Sequence, residues 1–200
     1  MTRRRAAILI SGGGSNMVAL VRDMAGPDHP ATPCLVISNR PDAAGLARAA
    51  DLGVPTAVID HRAHAGDRPR FEAAILDRLA ASGAEILCLA GFMRILTPGF
   101  VEHWQGRILN IHPSILPLFP GLDTHGRALA AGMALHGATV HEVTPDLDSG
   151  PILGQAVIPV LPGDTSETLA ARLLPMEHRL YPAVLRRFAA GDRRKVALFP

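Results

Sequence analysis

Asn110 and His112 sit two residues apart in the stretch Ile108-Leu109-Asn110-Ile111-His112-Pro113-Ser114. The apolar Ile108, Leu109 and Ile111 mark a strand, and side chains at i and i+2 of a strand share a face. An amide and an imidazole would therefore project together. Pro113 removes a backbone donor and ends regular pairing; two further prolines and Gly121 follow. Such a segment holds two polar groups rigidly at the mouth of a sheet. An amide donor beside an imidazole suits a reaction in which negative charge grows on an oxygen. The plainer alternative is a buried Asn–His pair satisfied by backbone.

A carboxylate partner has a candidate in Thr144-Pro145-Asp146-Leu147-Asp148-Ser149-Gly150. This loop follows a neighbouring strand, so Asp146 or Asp148 could reach the same sheet edge and hold a charged imidazole. Taken alone, Asp148-Ser149-Gly150 is also simply a good turn. Ser11-Gly12-Gly13-Gly14-Ser15-Asn16 lies between an apolar run and a helical stretch. Strand, glycine turn and helix together offer backbone N–H groups and a helix N-terminus to an anion. A dinucleotide fingerprint is excluded: Met17 takes the third glycine position, and the second strand ends in Ser38-Asn39-Arg40 without an acid. What remains is a small phosphate nest with Gly14, Ser15 and Asn16 at the helix start, or a tight turn. Met93-Arg94-Ile95-Leu96 leaves another strand, either as an apolar slot for a flat ring or as ordinary core. Among nine histidines, His61-x-x-His64 and His136-x-x-x-x-His141 lack Cys or Glu at ligand spacing, so no metal is expected.

These groups need a scaffold. Ala6 to Ile10 has the continuous apolar character of a buried parallel strand, with helix over Met17 to Met24. Strands follow at Cys34 to Ile37, Thr56 to Ile59 and Glu85 to Ala90. Helices lie between them, over Ala43 to Leu52 with Asp42 as cap and over Phe71 to Ala81. His61 to Pro69 is loop. This alternation implies a parallel, doubly wound sheet. Thr97-Pro98 starts a short helix to His103, and another covers His125 to Ala131. Two more strands cover His136 to Val143 and Ile152 to Val160. Thr165 caps a long helix to about Ala189, which Pro175 and Pro182 are expected to kink or break. Arg193-Arg194-Lys195 is expected to be solvated.

The chain of 200 residues suits one domain, and 48% hydrophobic content allows a real core. A net charge of +2 is too mild to argue for nucleic acid. The only lysine is Lys195, which excludes a Schiff-base or phosphate-loop lysine in the body of the chain. Cys34 and Cys88 lie in apolar runs and read as buried, reduced thiols. No apolar stretch approaches membrane-spanning length, so a cytoplasmic protein that binds no membrane is expected.

Taken together, ISGGGSN (10–16), SNRPDAAGL (38–46), LAGFMRIL (89–96), ILNIHPSILPLFPGLDTHGRAL (108–129), HGATVHEVTPDLDSGPIL (136–153) and MEHRLYP (176–182) resemble the phosphoribosylglycinamide formyltransferases of the folate-dependent formyltransferase family. The resemblance implies a Rossmann-like formyltransferase fold: three layers, a doubly wound and mostly parallel sheet, a C-terminal antiparallel strand portion and a long C-terminal helix. It implies one formyltransferase domain over 1–200, phosphate-binding to about residue 100 and folate-binding and catalytic beyond. It implies transfer of a formyl group from the cosubstrate 10-formyltetrahydrofolate to glycinamide ribonucleotide by a monomer or homodimer. Asn110, His112 and Asp148 would form the catalytic trio. Gly14, Ser15, Asn16 and Glu177 would bind the ribonucleotide. Arg68, Met93, Arg94, Ile95, Leu96, Asn110, Thr144, Pro145, Asp146, Leu147 and Asp148 would bind folate. Many relatives carry lysine where this chain has Leu118. A methionyl-tRNA formyltransferase would be expected to carry a further domain after about residue 200, and a formyltetrahydrofolate hydrolase one before the first strand.

Overall fold

The computed structural model describes residues 2–64 and 66–200. Five strands run parallel: β1 (Arg4–Ile10), β2 (Ala31–Ser38), β3 (Thr56–Val58), β4 (Ile86–Leu89) and β5 (Ile108–His112). The antiparallel β6 (Leu135–Glu142) and β7 (Ile152–Pro159) extend the sheet beyond β5, and β8 (Val196–Leu198) pairs parallel to β7. The spatial order is β3-β2-β1-β4-β5-β6-β7-β8. The expected doubly wound, mostly parallel fold with an antiparallel C-terminal portion is present.

Alternation along β1 explains the three layers. Ala6, Ile8 and Ile10 enter one core and Ala7 and Leu9 the other, and all five are fully buried. A strand covered on both faces needs that unbroken apolar run. The first core lies under α1 (Ser15–Met24), α2 (Ala44–Asp51) and α6 (Ser166–Ala189). The second lies under α3 (Arg68–Ala81) and α4 (Pro98–His103). The short α5 is Thr124–Ala130. The same alternation governs β5. Leu109 and Ile111 belong to the first core and Ile108 to the second, so Asn110 and His112 face the α3/α4 side. Polar residues there stand beyond the end of the second core.

Three expectations need correction. Asp42 makes no cap on α2; Ala43 occupies that position, and Asp42 instead receives two hydrogen bonds from the Arg40 guanidinium. Part of the loop after β3 winds into a 3-10 turn over His61–His64. Pro175 and Pro182 do not break α6, which runs for 24 residues. Its buried face, from Leu169 through Tyr181 to Phe188, packs on α1 and β7, and that burial outweighs the local cost of proline. After the exposed Arg193 to Lys195 the chain returns to the sheet as β8, held by pairing with Gly154 to Ala156. The expected thiols are free and buried, and burial pushes Cys88 up to about 12. Among the described residues, no helix is long and apolar enough to cross a membrane.

Candidate active site

The parallel strands β1, β4 and β5 are neighbours and end at the same edge of the sheet, where open α/β sheets place their ligands. At the end of β1, Gly14 has a φ of +70° and leads into α1 without a side-chain cap. Helix α2 holds this loop from behind. The Gly45 N–H donates to the Gly12 carbonyl at 3.0 Å, and Arg48 Nη1 donates to the Gly13 carbonyl at 3.0 Å. In a trans peptide the carbonyl and the following N–H point opposite ways. Tying back those two carbonyls therefore turns the N–H groups of Gly13 and Gly14 outward. With the free N–H groups of the first turn of α1 they make an anion-attracting surface. Gly45 cannot be larger without a shift, because a Cβ would lie 2.9 Å from the Gly12 oxygen and 3.2 Å from Gly14 Cα.

This loop opens onto a cavity of about 430 Å³, which Met93 and Arg94 also line. Ser11 ties the two loops together. Its N–H donates to the Gly91 carbonyl at 3.0 Å, and its Oγ accepts the Met93 N–H at 2.8 Å while donating to Asn39 Oδ1 at 2.6 Å. The far end of the Met93–Leu96 loop is fixed by the buried Glu72, whose Oε1 accepts the Thr97 N–H at 2.7 Å. The core alternative holds for only part of this loop. Met93 and Ile95 are exposed and Arg94 faces the cavity, while Leu96 is buried in the second core. Asn16 Nδ2 donates to Glu177 Oε2 at 2.7 Å, linking the glycine loop to α6. Burial pushes the Glu177 carboxyl up, and the Asn16 hydrogen bond offsets this only in part.

The second half of the site stands on β5 and β6. His112 is buried, with Nε2 2.9 Å from the Phe119 carbonyl and Nδ1 3.4 Å from Asp148 Oδ2. Both ring nitrogens thus face acceptors, an arrangement that a doubly protonated imidazole satisfies. Asp148 reaches the ring from a backbone with φ +49°, and its Oδ2 also accepts the Gly121 N–H at 2.9 Å. Burial pushes the Asp148 carboxyl up. The His141 imidazole 3.6 Å away, the Gly121 N–H and the charge of His112 together outweigh burial, so the carboxyl is held below its ordinary value. The carboxylate that sequence alone could also take for a turn residue therefore does face His112. Asp146 and Leu147 are exposed in the same loop, beside the exposed Pro145, and Thr144 Oγ1 donates to the Asp146 carbonyl at 3.3 Å.

His141 is a member that the sequence reading did not assign. It pairs with Asn110 across the β5–β6 ladder, and cross-strand partners share a face. Its Nδ1 lies 2.9 Å from the Glu142 carbonyl and so carries hydrogen. Nε2 stands between two groups, 3.2 Å from Asn110 Nδ2 and 3.6 Å from Asp148 Oδ1. The signal was available: Ala138 and Val140 are apolar, so Thr139 and His141 must face the other way.

A family model described as Formyl transferase matches residues 4–185. The chain belongs to the formyl transferase family. Among curated members, a phosphoribosylglycinamide formyltransferase of Escherichia coli (strain K12) is 42% identical over 184 residues, covering 92% of this chain and 86% of that protein. A trifunctional purine biosynthetic protein adenosine-3 of Gallus gallus is 46% identical over 187 residues, and the chain spans 18% of its length. A solved phosphoribosylglycinamide formyltransferase of Brucella melitensis is 54% identical, with a TM-score of 0.90 over 95% of this chain and 97% of that one.

Against this formyl transferase frame, the assigned residues fall into three groups. Gly14, Ser15, Asn16, Met93 and Arg94 share the first cavity, and Glu177 joins them through Asn16. Asn110, His112 and Asp148 come together with His141. Arg68 is apart, at the start of α3, lining a separate cavity of about 340 Å³ that shares His61 and Arg94 with the first. Among the described residues, no three His, Cys, Asp or Glu side chains cluster as metal ligands.

Proposed function

We propose that this member transfers the formyl group of 10-formyltetrahydrofolate to the primary amine of glycinamide ribonucleotide. The products are N-formylglycinamide ribonucleotide and tetrahydrofolate, a step of de novo purine biosynthesis. The observation that carries this reading is the Asn110–His112–Asp148 cluster beside a backbone cradle for an anion. The amine nitrogen attacks the formyl carbon, and the carbonyl electrons move onto oxygen. Asn110 and protonated His112 donate hydrogen bonds to that oxyanion. The 3.4 Å between His112 Nδ1 and Asp148 is longer than a good direct hydrogen bond, so this N–H is the one open to an arriving oxygen. Collapse breaks the bond from carbon to the folate nitrogen. The amine loses a proton and the folate nitrogen gains one, with Asp148 and His112 as the relay.

The outward N–H groups at Gly13, Gly14 and the start of α1 suit the ribonucleotide phosphate, with Glu177 nearby for its polar end. The folate would lie along Met93 to Leu96 and Thr144 to Asp148, with Asn110 and Asp148 at its reactive end and Arg68 at its outer end. A cytoplasmic monomer or homodimer goes with this reading. A formyltetrahydrofolate hydrolase would use the same trio, but it leaves the anion cradle without a ligand. Incubation with 10-formyltetrahydrofolate and glycinamide ribonucleotide should yield the formylated ribonucleotide. Formate released at the same rate with or without the ribonucleotide would instead favour hydrolysis.

A further inference from the structure

The segment after β5 turns through three left-handed residues: Phe119 at φ 54°, Gly121 at φ 81° and Asp123 at φ 51°. That backbone is unfavourable for Phe and Asp, so surrounding contacts must hold it. The same segment supplies two backbone groups to the site. The Phe119 carbonyl accepts from His112 Nε2, and the Gly121 N–H donates to Asp148 Oδ2, each at 2.9 Å. Both the ring and the carboxylate are therefore aimed by a strained stretch of three residues. One side chain grips it from outside. Arg127 Nη1 donates to the Pro120 carbonyl at 2.5 Å and to the Leu122 carbonyl at 3.3 Å, the two residues flanking Gly121. Its guanidinium also lies 5.5 Å from the centroid of the Phe119 ring. Arg127 is anchored in turn, since its own N–H donates to the Asp123 carbonyl at the start of α5.

We infer that Arg127 is a positioning residue for catalysis, acting through residues 119–122 to hold His112 and Asp148 in register. The inference rests on the formyl-transfer reading of that pair. Arg127 is exposed, so its removal leaves both cores intact. Both donations come from the one nitrogen Nη1, so a lysine ammonium could replace them in part, but it has no planar group to set against the Phe119 ring.

The test uses Arg127→Ala and Arg127→Lys in the full chain, with kcat and both KM values measured. Amide exchange at Gly121 and the His112 ring N–H signal are followed by NMR in the free protein. Arg127→Ala should lower kcat about tenfold with both KM values within about twofold of wild type, as a small misplacement of reacting groups does. Arg127→Lys should recover part of the loss, and the Gly121 amide should exchange faster in both variants. Unchanged kcat, or unchanged Gly121 and His112 signals, overturns the inference. A raised KM for one substrate at constant kcat also overturns it, by making Arg127 a substrate contact. If wild type transfers no formyl group the catalytic reading fails, while the exchange measurement still decides whether Arg127 holds the segment. If Arg127→Ala is unfolded by its melting curve, Arg127→Lys carries the same comparison.

Discussion

The loop after β1 and the segment after β5 reach the same sheet edge, with β4 between them, and they divide the work between backbone and side chain in opposite ways. In the glycine loop, main-chain N–H groups face the cavity, and the holding is done from behind by Gly45 and by the Arg48 side chain. After β5, side chains face inward, and main-chain groups do the holding through the Phe119 carbonyl and the Gly121 N–H. The difference follows from the task each would have. A phosphate carries a standing charge, so fixed dipoles suffice to bind it. Formyl transfer moves a proton, so the groups that meet the reaction must titrate, and something that does not titrate must fix their geometry. Mutations at the two places should therefore separate cleanly into effects on turnover and effects on binding.

The largest effect is expected at His112. His112→Ala should lower kcat about a hundredfold to a thousandfold, the loss typical of one oxyanion donor, with both KM values little changed. Steady-state kinetics on a variant with a wild-type melting curve checks this; near wild-type turnover would remove the proposed chemistry. Asp148→Asn should come next, at about tenfold to a hundredfold in kcat, because an amide holds a protonated ring less strongly. Asp148 is held below the ordinary carboxylate range and stays ionised at neutral pH. The loss should therefore be present at about pH 6 already and be at least as large at about pH 8, because a ring that has lost its facing charge gives up its proton more readily. A variant as active as wild type at about pH 8 would remove the carboxylate from the proposed chemistry.

At the glycine loop the effect should move to KM. Gly45→Ala puts a Cβ 2.9 Å from the Gly12 oxygen, and a backbone atom cannot step aside cheaply. The loop must shift and its N–H groups lose their aim, so KM for the ribonucleotide should rise about tenfold while the folate KM holds. Arg48→Met removes one hydrogen bond rather than adding a clash, and should raise the same KM about threefold. Equal changes in kcat for Gly45→Ala and His112→Ala would erase the division between the two regions.

Much of this division was legible in the chain itself. The alternation Ala6 to Ile10, the glycine run and the Asn110-x-His112-Pro113 spacing are local patterns, and local patterns survive into structure. What was not legible depended on pairing across the chain. His141 becomes a partner of Asn110 only through the β5–β6 register; in sequence it stands only in a pair with His136 that lacks further metal ligands. Gly45 and Arg48 act on carbonyls more than thirty residues earlier, as the 35-residue separation of Arg48 and Gly13 makes plain. The Phe119 carbonyl has no signature at all, because every residue carries one. Pro175 and Pro182 mislead for the converse reason: their local penalty is read easily, while the burial of Leu180, Tyr181 and Val184 that overrides it is not.

The smallest effect concerns Glu177, where binding and stability should pull apart. Its carboxyl is raised by burial, with Asn16 offsetting part of the rise. A raised carboxyl favours the protonated form in the folded state. The stability it contributes is present below the unfolded value, about 4.3, and is lost as pH rises through the folded value. Glutamine mimics the protonated form at every pH. Glu177→Gln should therefore melt higher than wild type at about pH 8, with the difference closing near pH 4. Its amide adds a donor beside Asn16 Oδ1, a buried atom without a partner among the described residues, so the substituted pair can bond amide to amide. The same variant should bind the ribonucleotide more weakly, with KM a few-fold higher, because the ligand loses a charged acceptor. Melting curves at the two pH values, set against KM, check both halves. A lower melting point at pH 8 would mean that the ionised carboxylate is stabilised in the free protein, and the glycine loop and α6 would then be coupled by a charged rather than a neutral contact.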